Sequence, residues 1–336
     1  MAHQALRVLS LLGDRVGGLV ATLPGPCLDA LEEVRLRANR PLIVHFGGQE
    51  GMVARRGGLC HHPEEACLVT PEDCRTALQR LTCSSLYALE EEIRHGYLTL
   101  PGGHRVGLVG HAVLDGGRVR TLRDINGLNL RLTREVRGAA DQVLPHLVNR
   151  RGEILSTLVL SPPQAGKTTL LRDLCRQVSE GRPDLAMPGR KVVVVDERSE
   201  IAGCYEGVPQ CEVGPRTDVL DGCPKAEGVA LVLRAMSPEV IVTDELGRPE
   251  DVAAVREAVR CGVAVLASAH AGDLAEAERR PALAPLLTEG CFARTVVLSR
   301  RRGPGTVERV VPLDGGQSPV CWAVGRQGGV GRHVVD

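Results

Sequence analysis

Lys167 closes the run Ser161, Pro162, Pro163, Gln164, Ala165, Gly166, Lys167, Thr168 and Thr169, and it is one of only three lysines among 41 basic residues. An apolar stretch precedes this run and a helix-compatible one follows. That context is what a phosphate-binding loop requires: backbone N–H groups and a helix N-terminus face the phosphate oxygens, and an ammonium reaches the outer phosphates. Residues 161–169 are therefore the candidate ATP-binding loop, and the Thr168 hydroxyl the candidate Mg²⁺ ligand. Ser161 stands where the first glycine of such a loop is usual.

Nucleotide hydrolysis also needs carboxylates, to hold the metal's water shell and to activate the attacking water. Two β-branched runs end in acid. One leads from Lys191 into Asp196, Glu197 and Arg198, the other from Glu239 into Asp244 and Glu245. Each is short enough for a buried parallel strand, and in open α/β sheets ligands lie beyond the carboxyl ends of the strands. Both acidic ends are thus expected beside Lys167. Asp244 is assigned to Mg²⁺ and Glu245 to the general base, because an Asp-Glu pair at a strand end is the usual hydrolytic arrangement. Glu197 is the rival base. A further strand over 262–269 ends at His270, which is placed to sense the terminal phosphate.

The elements that must carry these residues divide the chain. Residues 1–150 read as an α+β domain, with strands in 33–45 and 96–113, helices over 71–81 and 139–149, and an amphipathic helix over 6–23. Residues 151–313 read as an α/β nucleotide-binding domain, and 314–336 as a Gly-rich flexible tail. Six arginines (Arg118, Arg120, Arg123, Arg131, Arg134 and Arg137) crowd the end of the first half. Taken alone, they are a solvated basic face.

The chain resembles the sporulation stage III AA family, relatives of the ring-forming ATPases of type II and type IV secretion and of pilus retraction. The resemblance rests on residues 233–241 with Asp244, Glu245 and Arg248, on the acidic box 195–198, on Ser268 to His270 and on the segment 214–228. In the first half it rests on 33–37 with Arg40, Pro41 and Leu42, and on Tyr97 to Thr99. Ser161 and Gln164 depart from the glycines usual in the family. The resemblance implies a RecA-like P-loop core and a hexameric ring. It implies as partners the membrane-embedded proteins of a sporulation channel, and a cytoplasmic place at the membrane facing the forespore. It also implies that arginines of the first half, Arg123, Arg131 and Arg134, complete the nucleotide site. Arg234 and Arg248, beside the second acidic strand, can serve the same or a neighbouring subunit's site, and Arg294 is a further sensor candidate.

Composition excludes some alternatives. Formal net charge is zero and aromatics are 2%, so neither electrostatics nor base stacking favours nucleic acid as the main partner. The twelve cysteines show no Cys-x-x-Cys spacing and read as reduced thiols, and no run is long enough for a membrane span. Two other readings stay open. One is a nucleic-acid translocase, the other a scaffold that binds ATP without turnover.

Overall fold

The structure, a computed structural model, describes residues 8–82, 93–94, 96–133, 135–313, 320–322 and 332–334. The chain forms two compact units, 1–134 and 135–336. The expected boundary near 150 thus falls inside the second unit. Val143, Leu144 and Leu147 belong to its core, and the backbone N–H of Ala140 donates to the buried carboxylate of Asp173.

In the first unit an antiparallel sheet is built from β1 (Leu31–Arg37), β2 (Ile43–Phe46), β3 (Gln49–Val53), β4 (Leu59–Cys60), β5 (Tyr97–Leu100), β6 (His104–Asp115) and β7 (Arg118–Arg131). Their spatial order is β4-β3-β2-β1-β7-β6-β5. Helices α1 (Asp14–Ala21), α2 (Gly25–Asp29) and α3 (Pro71–Leu81) accompany it. The expected 6–23 helix is interrupted at Gly13, whose φ of 90° no ordinary helical residue adopts. By contrast α3 spans the expected residues, because Thr70 and Asp73 form a reciprocal capping box and Pro71 opens the first turn.

The second unit holds, among the described residues, the order β10-β9-β11-β12-β8-β13-β14-β15-β16. These strands are β8 (Thr157–Ser161), β9 (Val192–Asp196), β10 (Thr217–Asp221), β11 (Val240–Thr243), β12 (Ala264–His270), β13 (Arg294–Ser299), β14 (Thr306–Pro312), β15 (Val320–Trp322) and β16 (Arg332–Val334). From β10 to β13 neighbours run parallel, and the remaining three add as antiparallel edge strands. Within the stretch expected to be a loose tail, 320–322 and 332–334 are therefore strands.

Alternate residues of the buried strands feed two separate cores, which is why they read as continuous apolar runs and not as alternating ones. On one face Val192, Val194, Val240 and Val242 pack with Leu170, Leu171 and Leu174 of α4 (Lys167–Glu180). On the other, Val193, Val195 and Ile241 pack with Val229 and Val232 of α5 (Lys225–Ala235) and Val252 and Val255 of α6 (Pro249–Arg260). The shorter α7 (Leu274–Arg279) and α8 (Ala284–Thr288) lie on that face too, through Ala277 and Leu286. The result is a three-layer α/β/α unit with the central strands β8, β9, β11 and β12 clamped on both sides, each buried Val or Leu contributing roughly 1.5–3 kcal/mol. The expected helix over 139–149 is instead a run of turns with one 3₁₀ turn, Leu144–His146, which begins ahead of Pro145. No helix among the described residues is long and apolar enough to cross a membrane.

Candidate functional site

Strand β12 lies between β8 and β11, and its register sets His270 beside Ser161 and Ala267 beside Thr243. One strand therefore carries His270 to the phosphate loop and Ser268 to the Asp244–Glu245 corner. Strand β9 flanks β11 on the other side, with Val195 level with Thr243, so Asp196 and Asp244 leave the sheet at the same height. The carboxyl ends of β9, β11, β12 and β8 thus converge without help from loops.

Lys167 is the first residue of α4, and Gly166 before it has φ 91°. A Cβ at Gly166 would lie 2.8 Å from the backbone nitrogen of Gly305, whose N–H donates to the carbonyl of Ala165 at 2.9 Å. Both conformation and space therefore demand glycine here. Gly166→Ala is expected to lower the melting temperature of the second unit, by the about 1–3 kcal/mol of a strained non-glycine residue, and to weaken ATP binding at least about tenfold, checked by thermal melts and by titration with a fluorescent ATP analogue. Gln164 also lies in the left-handed region, at φ 58°, where glycine would be free of strain.

The side chains form a continuous chain of contacts. Lys167 Nζ lies 3.0 Å from His270 Nδ1, and His270 Nε2 lies 3.0 Å from Glu245 Oε1. An ammonium has no lone pair to accept with, so Nδ1 is the acceptor and Nε2–H donates to the carboxylate. The other Glu245 oxygen, Oε2, accepts from Arg198 Nη1 at 2.8 Å. The backbone N–H of Glu245 donates to Ser268 Oγ at 3.0 Å. Glu245 itself sits at φ 44°, a conformation costing about 1–3 kcal/mol in a non-glycine residue and concentrated at functional sites.

Burial moves the charged groups. It draws the Lys167 ammonium below its ordinary range, against the opposing pull of Glu245, Asp244 and Glu200. Asp244 is 1% exposed, and burial, reinforced by Asp196 and Glu200, pushes its carboxyl up to about 7. Among the described residues, neither Asp244 oxygen has a hydrogen-bond partner. The neighbouring Asp196, equally buried, accepts from the backbone N–H groups of Glu200, Ile201 and Ala202. One of the two buried aspartates is thus satisfied by the fold and the other is left open, which suits Asp244 to a hard cation or its water shell.

Glu197 is differently placed. It is ion-paired with Lys225, which is 6% exposed, and lies 3.6 Å from Arg248 Nη1. Burial would raise the Glu197 carboxyl, but Lys225, with Arg248 and Arg198, holds it below its ordinary value. Arg234 lies exposed in the last turn of α5. Arg294 starts β13 level with Thr157, at the amino end of the phosphate-loop strand, and donates to the carbonyls of Ala293 and His146. It is a structural arginine at the wrong end of the sheet for a phosphate sensor. Arg123 and Arg131 are exposed residues of β7 in the first unit, opposite His111 and between Glu33 and Arg105 respectively. Arg134 lies outside the described residues.

Sequence reasoning gave no role to Arg198 or Lys225. A signal existed for Lys225, because the scarcity of lysine that singled out Lys167 applies to it equally.

The family model for sporulation stage III, protein AA, matches residues 6–316. The chain belongs to this family. Stage III sporulation protein AA of Bacillus subtilis (strain 168) is 43% identical over 308 residues, covering 92% of this chain and 95% of that protein. Among solved structures, the ATPase DotB of Yersinia pseudotuberculosis aligns with a TM-score of 0.54 at 14% identity, over 85% of this chain and 76% of that one. The pilus retraction motor PilT, solved with bound ADP, aligns with a TM-score of 0.50 at 13% identity, over 81% of this chain and 75% of that one. The family member described here therefore has the RecA-like fold of secretion and pilus ATPases.

Proposed function

We propose that the chain is a Mg²⁺-dependent ATPase that works as a hexameric ring, and that it powers assembly of, or transport through, a channel between mother cell and forespore.

ATP is the substrate, and Thr168 and Asp244 hold the metal, which when bound neutralises phosphate charge. Glu245 orients and deprotonates the attacking water, Lys167 holds the outer phosphates, and His270 links the two. The observation that carries the reading is the convergence of Lys167, His270 and Glu245 at the ends of three adjacent strands, beside a buried aspartate with both oxygens open.

The remaining roles follow the family resemblance. Arg123 and Arg131 complete a nucleotide site, and Arg234 serves the site of its own or of a neighbouring copy. The partners are membrane-embedded channel proteins, which keep the ring at the cytoplasmic face of the membrane.

Steady-state ATP hydrolysis measured against protein concentration tests this, with Lys167→Ala as control and with or without single-stranded DNA. A rate per subunit that rises with concentration, ignores DNA and vanishes in Lys167→Ala is expected. ATP binding without turnover favours a scaffold, and strong DNA stimulation a translocase.

A further inference from the structure

We infer that Arg198 is a catalytic residue of this reaction: it leaves Glu245 when ATP binds and stabilises the terminal phosphoryl group during transfer. The inference rests on the ATPase reading above. Arg198 lies just beyond the end of β9, and its side chain, 55% exposed, reaches across to Glu245 Oε2 at 2.8 Å. With His270 on Oε1, both oxygens of the base are engaged. A water poised for attack must therefore compete with Arg198 for a place at Glu245 Oε2.

Binding of ATP removes this impediment. Lys167 must exchange His270 for phosphate, and a half-exposed guanidinium beside the site meets several new negative charges. Other cations near the site face the other glutamate: Lys225 is buried against Glu197, and Arg248, 3.6 Å from Glu197, makes no bond to the base among the described residues. Geometry keeps the move short. The base must lie one water away from the γ-phosphorus, so a group bonded to the base needs only a side-chain swing to reach a γ-phosphate oxygen. The planar fork of Arg suits those oxygens. Ser199, the next residue, is held at φ 53°, so the turn presenting Arg198 is strained as Glu245 is.

In the step itself the water oxygen bonds to the γ-phosphorus while the bond from that phosphorus to the bridging β-phosphate oxygen breaks. The electron pair of the broken bond stays on ADP. The water proton passes to Glu245 Oε2, vacated by Arg198, whose guanidinium offsets charge on the transferred group. Phosphate or solvent then takes the proton from Glu245.

The test compares kcat, KM and binding of a fluorescent ATP analogue for the full chain and for Arg198→Ala and Arg198→Lys. For Arg198→Ala the expected result is a fall in kcat of about 10³-fold, with affinity within about threefold of the unaltered chain. Arg198→Lys recovers part of the loss, and added guanidinium restores Arg198→Ala but not Lys167→Ala. A kcat for Arg198→Ala close to that of the unaltered chain overturns the inference, and so does loss of affinity in step with kcat. If the unaltered chain hydrolyses ATP and Arg198→Ala does too, only the role of Arg198 fails. If the unaltered chain does not hydrolyse ATP, the ATPase reading fails and takes this role with it.

Discussion

Glu245→Gln is expected to bind ATP with near-normal affinity and to lose turnover by about 10²–10⁴-fold, the span of a positioned general base. Its folding is expected to change little, since the amide oxygen still accepts from Arg198 or His270 and the Ser268 contact is made by the backbone. Glu197→Gln has the opposite profile. It removes the counter-charge of Lys225, an ammonium 6% exposed, and a buried ion pair broken on one side costs about 3–5 kcal/mol. The side chain of Glu197 is itself 21% exposed, so the lower end of that span applies. A clear drop in melting temperature with residual turnover is therefore expected. Paired melting curves and ATPase assays decide the matter. Loss of turnover in Glu197→Gln at unchanged stability, with Glu245→Gln still active, would exchange the two roles.

Asp244→Asn is expected to raise the melting temperature of the metal-free protein at pH 8 and to abolish the stabilisation by Mg²⁺ that the proposed site implies. The Asp244 carboxyl is pushed from an ordinary 3.8 up to about 7 by burial and by Asp196 and Glu200. Below pH 4 both folded and unfolded chains carry the proton and the group costs nothing. Between pH 4 and 7 only the folded chain keeps it, so stability falls as pH rises and the whole penalty is present above pH 7. A carboxyl raised from 3.8 to about 7 corresponds to about 4 kcal/mol, and Asn, which cannot ionise, escapes most of it. A cation on the ionised carboxylate offsets the penalty, so the Mg²⁺-induced rise in melting temperature should grow with pH in the unaltered chain only. Calorimetric melts in chelator and in Mg²⁺ at pH 5.5 and 8 check this. Equal melting of the two proteins at pH 8 in chelator would show that Asp244 carries no such strain.

The parts of the fold legible in the sequence were those fixed by local pattern. The β-branched runs ending at Asp196 and Asp244 form adjacent parallel strands, and Thr70 with Asp73 marks the start of α3. The Gly-Lys-Thr run opens α4. What stayed hidden depends on contacts distant in sequence. Nothing local shows that Ala140 caps Asp173, so residues 135–150 read as the end of the first domain. The spacing of Val143, Leu144 and Leu147 suits a helix, yet turns deliver the same side chains to the core. Strands β15 and β16 owe their pairing to an edge offered by β14, which Gly-rich sequence does not announce. At the site, two glutamates after similar strands look alike, and only their partners, Lys225 for one and His270 for the other, tell them apart.

The bond from Gly305 to Ala165 ties the phosphate loop to the turn between β13 and β14. The loop is consequently anchored at three points: strand β8 behind it, helix α4 ahead, and this lateral tether. Strand β14 in turn carries β15 and then β16 on its outer edge. A ligand that tightens residues 161–166 is therefore expected to stiffen the margin of the sheet, and a load applied at that margin to reach the same loop.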